Sequence, residues 1–116
     1  MINLLEETLE KLKDNDKSPE DVKWVGTYQQ YFSWEEFEDI ARHEIYNDGY
    51  GAQEVAYDLM IVGEGFWLER CEYDGSEWWE FKSSIKKPSI HKAPNRLTGG
   101  MWSSLESIND ACGDSV

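Results

Sequence analysis

The sequence predicts an α+β domain, a small antiparallel sheet with helices packed on one face, and three observations predict it. Residues 58–82, DLMIVGEGFWLERCEYDGSEWWEFK, hold three strand-length runs separated by two glycine turns, which is the pattern of a β-meander. Upstream, VKWVGT and Tyr31-Phe32 bracket a turn at Tyr28-Gln29-Gln30 and make a short N-terminal hairpin. Two amphipathic stretches with helix-start signals, one near the N-terminus and one at Ser33, supply the apolar stripes that cover such a sheet.

In chain order, Ile2, Leu5, Leu9 and Leu12 recur at helical spacing. Asn3 and Glu6 are placed like a capping box, and Lys11 and Lys13 complement the dipole at the far end, so residues 3–13 form a helix. Ser18-Pro19-Glu20-Asp21 is a cap followed by proline at the first helical position, good for one turn before the strand at Val22. Ser33 caps the second helix and Glu36 closes its box; Trp34, Phe37, Ile40, Ala41 and Ile45 make the buried stripe. Residues 47–51 are a loop, and Ala52 to Ala56 fits either a helical turn or a short extended lead into the meander.

Within the meander, Leu59 to Val62 is the first strand, Phe66 to Tyr73 the second and Trp78 to Lys82 the third. A two-residue turn at Asp74-Gly75 sets Tyr73 against Ser76, Glu72 against Glu77 and Cys71 against Trp78. The same register sets Arg70 against Trp79, Glu69 against Glu80 and Leu68 against Phe81. Alternation then puts Phe66, Leu68, Arg70, Trp79 and Phe81 on the core face, with Arg70 stacked on Trp79 and its charge near the rim. Trp67, Glu69, Cys71, Tyr73, Trp78 and Glu80 occupy the other face. Two of these pairs, Glu69 with Glu80 and Glu72 with Glu77, oppose like charges, which destabilises a sheet by roughly 0.2–1 kcal/mol each.

Beyond Lys82 the character changes. Residues 83–100 form a basic, irregular segment carrying Lys86, Lys87, Lys92 and Arg96; Met101 to Ile108 fits a final short helix, and 110–116 a frayed tail. At 116 residues the whole chain, 1–116, suits a single domain.

The net charge of −13 is unevenly placed: residues 1–80 hold 21 acids against 6 bases, and residues 81–116 hold 3 against 5. Such a body repels nucleic acid and anionic membranes and favours basic partners. Two cysteines without motif spacing point to a reducing, cytoplasmic setting, and no apolar run approaches membrane-spanning length.

Catalytic and metal signatures are missing. There is no phosphate-binding glycine loop, dinucleotide fingerprint or nucleophile elbow, and neither His43 nor His91 has a second ligand at metal spacing. Asp14, Asp16 and Ser18 open like a calcium loop, but Pro19 stands where glycine is required. Glu69 and Glu80 beside Trp67 and Trp78 resemble a glycosidase pair, yet an open sheet lacks the cleft that raises a carboxyl pKa. The expectation is no enzyme, no cofactor and no metal.

The segment GYGAQEVAYDLMIVGEGFWLERCEYDGSEWWEFK, following WVGTYQQYFSWEEFEDIA, is similar to small acidic proteins encoded by phages and prophages of low-GC bacteria, over residues 22–82. That resemblance implies an inhibitor of the anti-CRISPR or anti-restriction type. Its partner would be the basic surface of a host nucleic-acid-binding protein, such as an RNA-guided nuclease, met by a DNA-mimicking array of carboxylates. The partner-binding residues on this reading are Glu64, Trp67, Glu69, Glu72, Asp74, Glu77, Trp78 and Glu80, with Glu35, Glu38 and Asp39 on the second helix. The alternative is a non-enzymatic interaction module that binds a protein partner through the aromatic face of the meander, its acidity serving solubility.

Overall fold

In the computed structural model, which describes residues 1–47 and 52–109, the meander and the N-terminal hairpin join into one five-stranded antiparallel sheet. Its order is β3-β2-β5-β6-β7, with β2 at Val22–Gly26, β3 at Tyr31–Phe32, β5 at Met60–Gly63, β6 at Phe66–Tyr73 and β7 at Ser76–Ser83. All six cross-strand pairs expected for the last hairpin are present, and the ladder continues through Trp67–Lys82 to Phe66–Ser83. The turn explains why the register is so firm: Asp74 and Gly75 both have positive φ, 52° and 87°, the geometry that closes a two-residue hairpin. At the other turn Gly63 has no room for a Cβ, because the Phe66 ring and the Asp21 carbonyl occupy its place.

Helix α1, Leu4–Asp14, begins at Asn3, whose Oδ1 accepts from the Glu6 amide at 2.9 Å. Ser18 and Asp21 cap one 3-10 turn, Pro19–Asp21, ahead of β2. Helix α2, Trp34–Ala41, has the reciprocal box: Ser33 Oγ accepts from the Glu36 amide at 3.0 Å and Glu36 accepts from the Ser33 amide at 2.9 Å. Both helices lie on the same sheet face. Leu4, Leu5 and Leu12 of α1 and Trp34, Phe37 and Ala41 of α2 share one core with Val25, Ile61, Phe66, Leu68 and Trp79. The Trp79 indole N–H donates to Thr8 Oγ1 at 2.8 Å, so even the polar edge of that ring is satisfied inside. Truncating a fully buried member such as Leu12 to alanine removes roughly 2–5 kcal/mol.

Two expectations about the second helix change. Ile40 is exposed, and Ile45 is not helical; the helix stops at Ala41. Ile45–Tyr46 forms strand β4, which pairs with strand β1, Ile2–Asn3, in a separate two-stranded sheet. That pairing sends Tyr46 into the core and leaves Ile45 half in water. Residues 52–56 are neither helix nor strand. The expected loop residues 48–51 and the tail 110–116 lie outside the described residues.

The chain divides into two compact units, Met1–Ile85 and a second unit from Lys86 onward. The second is irregular up to helix α3, Leu105–Asn109, and is held by Asn109. Asn109 Oδ1 accepts from the Asn95 and Arg96 amides at 2.8 and 3.0 Å, and its Nδ2 donates to the Arg96 carbonyl at 2.9 Å. No helix among the described residues is long and apolar enough to cross a membrane.

Candidate functional site

The two like-charge pairs of the hairpin have opposite fates because they lie on opposite faces. Glu72–Glu77 falls in the same alternation set as Arg70 and Trp79, which is the core side. There Glu77 is 3% exposed and bonds Arg70, its Oε1 accepting from Arg70 Nη2 at 2.7 Å. Glu77 Oε2 accepts from the Glu54 amide at 2.7 Å, anchoring the segment that leads into β5. The other arm of the guanidinium, Nη1, lies 3.4 Å from both carboxylate oxygens of Glu7 on α1, and Nη2 also donates to Tyr46 Oη at 3.1 Å. Tyr46 in turn donates to Glu7 at 2.6 Å.

Arg70 therefore does stack on Trp79, its guanidinium carbon 4.7 Å from the ring centroid, but its charge is not at the rim. The side chain is wholly buried. Burial by itself would lower the pKa of Arg70; hydrogen bonds to Tyr46 and Glu77 and the charge of Glu7 raise it instead, so the cation is secure. Burial and the Glu7 hydrogen bond raise the Tyr46 pKa, against the pull of Arg70, so its phenol keeps its proton. Glu77 must accordingly be struck from the expected partner-binding surface: both of its oxygens are committed inside the fold. Glu72 is exposed beside it, past the end of the core and on the helix-covered side of the ladder.

The outward face is different. Reading across the strands, one row runs Trp24, Val62, Trp67, Lys82 and the next runs Gly26, Met60, Glu69, Glu80, with Cys71 opposite Trp78 beyond them. Trp24, Met60, Val62, Trp67 and Cys71 are only half-buried, because neither helix lies on this side. Each glutamate is held by the indole of its own strand: Trp67 Nε1 donates to Glu69 Oε1 at 2.8 Å and Trp78 Nε1 to Glu80 Oε2 at 3.2 Å. Among the described residues no lysine or arginine forms an ion pair with either carboxylate, and Lys82, on the same face, stands opposite Trp67. Burial first, and then the Glu80 and Glu69 charges, push the Cys71 thiol above its ordinary pKa, so this thiol senses the field of the pair.

The remaining expected residues do not join this face. Glu64 and Asp74 are exposed in the turns at opposite ends of β6. Glu35, Glu38 and Asp39 sit on α2, in the helix layer across the core from the outward face, and Glu38 lies 3.9 Å from Arg42. The eleven residues thus resolve into Trp67, Glu69, Trp78 and Glu80 on one surface, with the others dispersed. Trp24, Met60 and Val62 complete that surface and were not among the expected residues. Their alternation is readable in the sequence, but the pairing of β2 with β5 is long-range and carries a register shift between Val22 and Trp24.

Concavities reach this face at Trp24, and at Met60 with Glu69. A cleft of about 360 Å³ with a mixed lining lies on the helix side, between apolar residues such as Phe37, Ile40, Val55 and Leu59 and the carboxylates Glu44 and Glu54. Glu69 borders a shallow depression of about 210 Å³ with Tyr28, Tyr57 and Met60, and Glu80 does not line it, so this depression does not enclose the pair. No family model matches the chain, and no curated protein or solved structure does either.

Proposed function

We propose that the chain is a non-enzymatic protein-binding module that docks a basic protein surface on the outward face of its sheet. One observation carries this reading: Glu69 and Glu80 face each other at the middle of that face, between exposed or half-buried tryptophans, without an ion-pairing cation among the described residues. The sheet retains a repulsion of roughly 0.2–1 kcal/mol that an incoming lysine or arginine relieves. Trp67 and Trp78 on either side offer ring faces to the same cation and apolar area to its stem. The indole–carboxylate bonds hold both acceptors in place beforehand, so little side-chain freedom is lost on docking.

An inhibitor that mimics nucleic acid is the narrower form of this proposal. Support for it is the charge of −13 and the Glu69–Glu80 pair; a longer phosphate-like ladder would need Glu77, which Arg70 holds inside. Titrating a panel of basic nucleic-acid-binding proteins against the chain, at low and moderate salt, tests both forms. Binding that weakens steeply with salt and is lost in Glu69→Gln/Glu80→Gln supports the proposal. Binding insensitive to salt, retained by that variant and lost in Trp67→Ala/Trp78→Ala, leaves an aromatic interaction surface without the electrostatic part.

A further inference from the structure

The five-stranded sheet has two edges of very different quality. Strand β3 is two residues long, whereas β7 runs eight, with no proline in it and no break in its register with β6. Hydrogen-bonded and non-bonded pairs alternate along an antiparallel ladder, and a two-residue turn closes on a bonded pair, here Tyr73–Ser76. Trp78, Glu80 and Lys82 therefore turn their backbone groups to β6, and Glu77, Trp79, Phe81 and Ser83 turn theirs outward. Among the described residues, no loop or turn backbone group bonds to Glu77, Trp79 or Phe81. Sheets commonly guard such an edge with proline, a bulge or an inward charge; the inward charge here, Glu77, is neutralised by Arg70 and guards nothing.

We propose that two copies of this chain pair β7 to β7, antiparallel, about a two-fold axis at Phe81, joining two five-stranded sheets into one. A second copy is the occupant because the strand is charge-complementary to itself in that register. Phe81 meets Phe81, Trp79 meets Ser83, and on the outward face Glu80 meets Lys82 of the other copy twice, once on each side of the axis. Moving the axis to Glu80 would oppose the two Glu80 carboxylates, and moving it to Trp79 would set Lys82 against Ser76. The outward backbone groups of Trp79, Phe81 and Ser83, to which no loop or turn backbone group among the described residues bonds in the single chain, find partners in the pair. This proposal does not depend on the docking reading and is tested with the purified full chain alone.

Sedimentation over a broad dilution series reads the result. The wild type shows a concentration-dependent monomer–dimer equilibrium, and hydrogen exchange at the Trp79 and Phe81 amides slows as concentration rises. Glu80→Lys alone and Lys82→Glu alone each turn two attractive contacts into two repulsive ones and weaken the dimer roughly tenfold or more. The double variant Glu80→Lys/Lys82→Glu restores it. A general charge effect would instead move the two single variants in opposite directions, because one lowers the net negative charge and the other raises it. A chain that stays monomeric at every concentration, a dimer indifferent to the single exchanges, or a double variant that fails to recover overturns the proposal. So does a dimer whose Trp79 and Phe81 amides gain no protection.

Discussion

The hairpin of β6 and β7 carries the same oddity twice, a glutamate facing a glutamate, and the two faces of the sheet treat it differently. On the core side Glu77 is enclosed and held by Arg70, Glu54 and Val55, while Arg70 reaches on to Glu7 and Tyr46. On the outward side Glu69 and Glu80 have tryptophan indoles for company and no ion-pairing cation among the described residues. The lesson is that formal charge on a strand says little until the face is known. A carboxylate in the core has to be matched, because an unmatched buried charge would unfold the domain, whereas one facing water can stay unmatched at small cost.

The largest effect that sharpens this contrast is in the core network. Arg70→Met leaves Glu77 and Glu7 without their cation, and urea unfolding should show a loss of about 3–5 kcal/mol. Adding Glu77→Gln should recover much of that, since the neutral side chain still accepts from the Glu54 amide. A double variant as unstable as Arg70→Met alone would mean that lost packing on Trp79, not charge, explains the damage.

Alkaline pH probes the same network more gently. Tyr46 has a folded pKa above its unfolded value, so its contribution is fully present below the ordinary tyrosine pKa and is lost progressively as pH climbs from there to the folded pKa. By pH 11 the wild type should have lost about 1 kcal/mol that Tyr46→Phe does not lose. Equal slopes for the two proteins between about pH 9 and 11 would show that the phenol ionises freely in the fold.

The outward pair should respond weakly. In the single chain, at concentrations too low for two copies to pair, Glu69→Gln and Glu80→Gln should change stability by less than about 1 kcal/mol, in the stabilising direction, because each relieves a repulsion. A loss as large as that of Arg70→Met would erase the distinction between the faces. The smallest effect is chemical: with Cys112→Ser leaving Cys71 as the single thiol, Glu80→Gln should bring the Cys71 pKa down. Alkylation near pH 8.5 should then be roughly twofold faster.

Much of the fold was legible because its signals are local. Asp74-Gly75 fixes the turn, the turn fixes the register, and the register fixes which residues face each other; the whole β6–β7 ladder lies within the contiguous residues 66–83. Asn3, Ser18 and Ser33 announced their helices in the same way. Strand β4 was not legible, since two residues have no periodicity and Ile45 continues the helical stripe as well as it begins a strand. The candidate surface was half legible. Trp67, Glu69, Trp78 and Glu80 come from alternation in one hairpin, but the rows that extend them through Met60, Val62 and Trp24 need a strand some forty residues away.

By itself, then, the sequence determined the layers, the hairpin register and which glutamates meet, because chain connectivity and side-chain period act over a few residues. Only the tertiary structure decided which of those glutamates remain available. That decision rests on Arg70 meeting Glu7, 63 positions earlier, and Tyr46, 24 positions earlier. Charge matching inside a core acts through space between elements the chain has folded back together, and no local pattern records it.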